Sequence, residues 1–100
     1  MPYILQIDFP YAGPWGEEMN SAMQGVAASI LEEPGLIWKI WTTDEPSQEA
    51  GGIYLFREQA SAQAYLTMHA DRLKSLGVLN VRAKIFEVHE GLTKLTSGPT

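Results

Sequence analysis

Residues Pro34 to Phe56, PGLIWKIWTTDEPSQEAGGIYLF, hold Trp38, Lys39, Trp41, Tyr54 and Phe56 in two short runs on either side of a polar loop that closes on Gly51 and Gly52. Aromatic side chains crowded in this way can wall a cleft for a flat apolar ligand, with a few polar groups to orient it. Such a cleft becomes reactive when a titratable group reaches into it. His69 is the candidate base, because imidazole titrates closest to neutrality. Asp8 is the second, if burial raises its carboxyl pKa.

Each of these residues also has a plainer reading. His69 falls on the apolar stripe of a helical segment, where a histidine serves as a hydrogen-bonded core residue. Trp38, Trp41, Tyr54 and Phe56 suit core and interface packing, which is worth roughly 1.5 to 3 kcal/mol for each buried ring. Asp8 fits a polar interior lined by two subunits. Gly51 and Gly52 fit a bulge or a close strand approach, since neither a P-loop lysine nor a dinucleotide fingerprint accompanies them. Glu45 and Glu49 read as solvated loop carboxylates or as partners for a basic group across a dimer, and His89 reads as exposed.

No metal site is expected. His69 and His89 are the only histidines, they sit on separate elements, and no carboxylate stands beside either at a ligand spacing such as HxxE. The absence of cysteine removes thiolate catalysis, disulfides and cysteine-ligated metals. Seven basic residues against twelve acidic ones, with no basic cluster, oppose a phosphate backbone, so nucleic acid is not an expected partner. No apolar run reaches the 18 or so residues that a membrane span needs. The start, MPYILQIDF, lacks the pattern of a secretory signal, and a cytoplasmic location is expected.

The elements that must position these residues follow from periodicity. Tyr3 to Phe9 alternates Tyr3, Leu5, Ile7 and Phe9 against Ile4, Gln6 and Asp8, the pattern of a strand. Met19, Met23, Val26, Ala27 and Ile30 recur at helical spacing and predict one helix from Trp15 to Glu32, with Glu17 and Glu18 in its first turn. Glu33, Pro34 and Gly35 stop it. Strand two runs from Leu36 to Thr43, a loop from Asp44 to Ala50, and strand three from Gly52 to Phe56. Gln59 to Ser75 is a second helix with Ala62, Tyr65, Leu66, His69, Leu73 and Leu76 on its stripe and Gly77 as its C-terminal cap. Strand four covers Val81 to His89, and the tail from Thr93 to Thr100 is expected to fray.

One hundred residues make one domain, residues 1–100, and the order β-α-β-β-α-β is that of a ferredoxin-like α+β fold. Its sheet is four-stranded and antiparallel, with both helices on one face. Lengths agree, since an 18-residue helix spans about 27 Å and a strand of about eight residues a similar distance. Strands two and three are apolar on both pleat faces, so the second face calls for a cover, and a second copy of the chain would supply it.

At this level of detail the chain resembles a known family. Trp38-Lys39-x-Trp41, then Glu45, then Glu49-Ala50-Gly51-Gly52-Ile53-Tyr54-Leu55-Phe56, followed by Ala64-Tyr65-Leu66, His69, Arg72-Leu73 and Leu76-Gly77-Val78, is similar to the YdhR-type monooxygenase family. That family belongs to the dimeric α/β-barrel superfamily of the antibiotic-biosynthesis monooxygenases, and the resemblance runs from Tyr3 to about Leu92. It implies a homodimer and a cofactor-independent monooxygenase that acts with dioxygen on a small aromatic or polycyclic compound. In such chemistry a base removes an acidic proton and the carbanion passes an electron to dioxygen. The implied roles are His69 or Asp8 as base, Trp38, Trp41, Tyr54 and Phe56 as cleft, and Tyr54, Gln6 or Lys39 as donors to the oxyanion. A ligand-binding or stress-related protein without chemistry, a lactone isomerase and a haem-degrading enzyme are the alternatives that the resemblance leaves open.

Overall fold

The alternation in the first segment is realised as strand β1, Tyr3–Pro10, with Leu5 and Ile7 fully buried on one face and Gln6 exposed on the other. The structure, a computed structural model, describes residues 2–100. Four strands follow the expected order and form one antiparallel sheet, β2-β3-β1-β4, with β2 Leu36–Asp44, β3 Glu49–Phe56 and β4 Arg82–Glu87. This is the ferredoxin-like α+β arrangement, and the buried cluster of Leu5, Ile7, Ile30, Tyr54, Phe56, Ala62 and Tyr65 lies between the sheet and the helices on one face. No helix among the described residues is long and apolar enough to cross a membrane.

Several boundaries differ from the sequence expectation. The single helix expected from Trp15 to Glu32 is two, α1 Gly16–Ala22 and α2 Gln24–Leu31, separated at Met23, whose φ of −98° and ψ of 6° leave the helical region. Hydrogen bonds still run through the break, from Met23 N–H to Met19 O and from Ala27 N–H to Met23 O. Gly16, Asn20, Ser21 and Gly25 are weak helix formers, and α1 buries no residue, so neither propensity nor packing enforces regularity there.

Strand β3 begins at Glu49 rather than Gly52, and the expected loop from Asp44 to Ala50 shrinks to a turn over residues 45–48 closed by Gln48 N–H to Glu45 O. Glycines weaken a strand considered alone, but β3 is paired on both sides, and its ladder carries them. Gly51 is required by this packing: a Cβ there would lie 1.9 Å from the Ile7 carbonyl oxygen. In β2 the register shifts between Leu36 and Trp38, leaving Ile37 outside the pairing. Leu36 therefore joins the core while Trp38 turns to the opposite face.

Helix α3, Gln59–Ser75, buries Ala62, Tyr65, His69 and Leu73, as its stripe predicts, although Leu76 is exposed. Gly77, at φ 84°, closes it with Gly77 N–H to Lys74 O and Val78 N–H to Leu73 O, the Schellman pattern. β4 is shorter than expected at both ends, and after it His89 starts a further helix, α4 Glu90–Leu95, its Nδ1 accepting from Leu92 N–H. The expected frayed tail is thus partly helical, and the Pro99 carbonyl accepts the Trp38 indole N–H at 2.8 Å. The face of the sheet away from α3 carries Ile4, Gln6, Asp8, Trp38, Ile40, Leu55, Lys84 and Phe86, with Ile40 51% and Phe86 43% exposed.

Candidate active site

Between the sheet and the helices lies a cleft of about 300 Å³, with an apolar wall that includes Phe9, Met19, Met23, Val26, Trp41 and Leu73. Strand β2 supplies Lys39 and Trp41, two residues apart and so on the same face. Strand β3 sets Tyr54 beside Lys39 in register. Helix α3 supplies His69 and Arg72, three residues apart and hence neighbours on its surface.

Gly52 gives Lys39 its position. A Cβ on Gly52 would come within 2.5 Å of Lys39 Cε, so the lysine stem lies across β3 where a side chain is missing. Its Nζ stands 3.4 Å from the centroid of the Trp41 ring and 4.7 Å from that of Tyr54. Burial, reinforced by the charge of Arg72, lowers the Lys39 pKa to about 7.

His69 is only 7% exposed. Its ring stacks on Tyr65 at a centroid separation of 5.1 Å, and Tyr65 donates its hydroxyl proton to the Tyr54 oxygen at 3.2 Å. Arg72 Nη2 lies 2.8 Å from His69 Nδ1. A guanidinium can only donate, so Nδ1 accepts and the neutral ring carries its proton on Nε2. Burial first, then the charges of Arg72 and Lys39, lowers the His69 pKa to about 4. Burial raises the pKa of Tyr54 and of Tyr65, keeping both phenols protonated. Among the described residues, no carboxylate lines the cleft.

Of the residues singled out in the sequence, the cleft brings together His69, Lys39, Trp41 and Tyr54. Phe56 lies beneath it in the core, its ring 6.2 Å from that of Tyr54. Trp38, Gln6 and Asp8 stand on the other face of the sheet, where Asp8 accepts from Arg82, which also bonds Glu49. Sequence reasoning did not assign Arg72 or Tyr65 to the site, although their spacing of three and four residues from His69 is the signal that places all three on one helix face.

An apolar slot lined by rings, with an amine, an imidazole and a guanidinium on its wall, can bind a flat molecule, take a proton from it and hold the resulting anion. The fold is shared with solved oxygenases. One is an antibiotic biosynthesis monooxygenase from Deinococcus radiodurans, described as putative, with a TM-score of 0.62 at 14% identity over 86% of this chain and 91% of that one. Another is a point mutant of SnoaB, a cofactor-independent oxygenase from Streptomyces nogalater, with a TM-score of 0.62 at 15% identity over 88% and 93%. No curated protein matches. These likenesses define the class as the α+β fold of the antibiotic-biosynthesis monooxygenases. Within it the chain belongs to the family described as "Putative mono-oxygenase ydhR", whose profile matches residues 4–99.

Proposed function

We propose that the protein is a cofactor-independent monooxygenase that takes a small, flat, electron-rich aromatic compound, a phenol or an enol, into the cleft beneath α3. The observation that carries this reading is the meeting of Lys39, His69 and Arg72 with the ring faces of Trp41 and Tyr54 in one apolar cavity. Membership of a mono-oxygenase family supports it.

The protein's part is to stack the substrate, exclude water, accept one proton and stabilise the anion left behind. That anion gives one electron to dioxygen, and the two radicals combine to form a C–O bond. Protonation and loss of water then convert a CH2 group to a carbonyl, with one oxygen atom in the product and one in water. Trp38, Gln6 and Asp8, which lie outside the cleft, serve in this reading the opposite face, where a second copy of the chain packs over Ile40 and Phe86 to form the homodimer.

Oxygen uptake measured against quinols, anthrones and enediols tests the function. Protein-dependent uptake with one atom of the consumed dioxygen recovered in the quinone or ketone product supports it. Saturable binding of the same compounds with no uptake would instead assign a binding role.

A further inference from the structure

We propose that Lys39 is the general base of the cleft and that His69 is a hydrogen-bond donor to the anion, an assignment that rests on the oxygenase reading above for its substrate. The charged and titratable groups lining the cleft are Tyr11 from the segment after β1, Lys39 from β2, Tyr54 from β3, and His69 and Arg72 from α3. Tyr65 stands behind Tyr54 and His69, and the residues from α1 and α2 are apolar.

An ammonium at Lys39 therefore has a guanidinium among its neighbours and no carboxylate. The ring faces of Trp41 and Tyr54 offset only part of the cost of burying it. The amine loses its proton near neutrality, and the free lone pair is then poised between two rings, the surface on which a flat substrate would lie.

His69 has the opposite equipment. Its Nδ1 lone pair is engaged by Arg72, its remaining ring nitrogen carries a proton, and its basicity is far below what proton removal at neutral pH requires. The imidazole N–H and the guanidinium can therefore donate to an enolate oxygen.

In the step assigned to Lys39, the substrate C–H or O–H bond breaks, its proton forms an N–H bond on the amine, and its electron pair stays on the substrate as the anion. After electron transfer to dioxygen and C–O bond formation, the ammonium returns that proton to the peroxide. That transfer restores the neutral amine; the hydroperoxide then loses its remaining C–H proton and breaks its O–O bond, leaving the carbonyl and one molecule of water.

Two measurements on the full chain separate this assignment from the oxygenase reading. Anthrone held without oxygen in deuterated buffer should exchange its C10 hydrogens faster with protein than without it. Lys39→Met, which keeps the stem but not the amine, should remove about 10² to 10⁴-fold of that acceleration, whereas Lys39→Arg should not restore it. The exchange rate of the native chain should rise with pH in a step near 7, and the Lys39 amine, observed by NMR after isotopic labelling, should titrate with it. A step that survives Lys39→Met, or a Lys39 titration near the ordinary lysine value, overturns the assignment while any oxygen uptake leaves the oxygenase reading standing. Lys39-dependent exchange with no uptake in air would keep the base and overturn the oxygenase. Absence of both overturns both.

Discussion

Arg72 Nη2 lies 2.8 Å from His69 Nδ1, one helical turn earlier on α3, so the residue that sequence marks as the cleft's base is tied to a permanent cation. The contact is favourable only while the imidazole is neutral. It turns His69 from a proton acceptor into a donor, and with Lys39 nearby it loads the cleft with positive potential in a chain whose net charge is −5. An anionic intermediate is what such a cleft would stabilise.

Stability should depend on this pair through pH. The folded-state pKa of His69 is about 4 against an ordinary 6.5, so its contribution is fully present above 6.5 and is lost as pH falls through 4. The loss is on the order of 3 kcal/mol for a single buried histidine shifted this far. Lys39 acts in the same sense at higher pH, its contribution growing as pH rises from about 7 toward 10.5. Denaturant titrations at about pH 4.5 and 7 should show the His69 part of the slope, and His69→Gln should flatten it. An equally steep slope in that variant would show that other groups cause it.

Gly51 and Gly52 should respond differently to alanine. At Gly51 the new Cβ meets the Ile7 carbonyl at 1.9 Å, backbone that cannot yield, and Gly51→Ala should cost about 3 kcal/mol or more. At Gly52 the one contact under 3.0 Å is with the Lys39 stem, which can swing away, while Tyr54 Cε1 at 3.2 Å and the Ile40 carbonyl oxygen at 3.3 Å need give by only a few tenths of an ångström. Gly52→Ala should therefore fold, with turnover falling about tenfold or more as the amine is displaced. Thermal melts beside oxygen-uptake rates check both. Comparable stability losses in the two variants would contradict the distinction.

Trp41 lines the cleft and Trp38 does not, being hydrogen-bonded to Pro99 on the other face. A flat aromatic ligand should quench intrinsic fluorescence in the native chain and in Trp38→Phe, and should lose most of that effect in Trp41→Phe. Retained quenching in Trp41→Phe would move the binding site to another element.

The opposite sheet face should be an interface between two copies. Ile40 is 51% and Phe86 43% exposed there, and sedimentation at micromolar concentration should give a dimer, burying more than about 2,000 Å² in total. Ile40→Asp should shift it toward monomer, since a carboxylate buried without a partner is costly. A native chain that sediments as a monomer would rule out this cover for the exposed apolar face.

Periodicity carried the order of the four strands and with it the antiparallel ferredoxin-like sheet, the buried stripe of Ala62, Tyr65, His69 and Leu73, and the Gly77 cap, because spacings of 2 and 3.6 residues and capping chemistry are local properties. The string from Trp38 to Phe56 marked the family by its resemblance, residue by residue, and not by periodicity. What the tertiary structure decided is non-local. Alternation sets Trp38 and Trp41 on opposite faces, but which face meets α3 depends on how the sheet packs, and so does the separation of Asp8 and Gln6 from the cleft. The early start of β3 reflects strand pairing that no short window contains, whereas the break at Met23 falls where weak helix formers coincide with a segment that buries nothing. The protonation of His69 and Lys39 belongs to this group too: burial and the nearby guanidinium set it, and a side chain's desolvation is fixed by residues distant in sequence that fold around it.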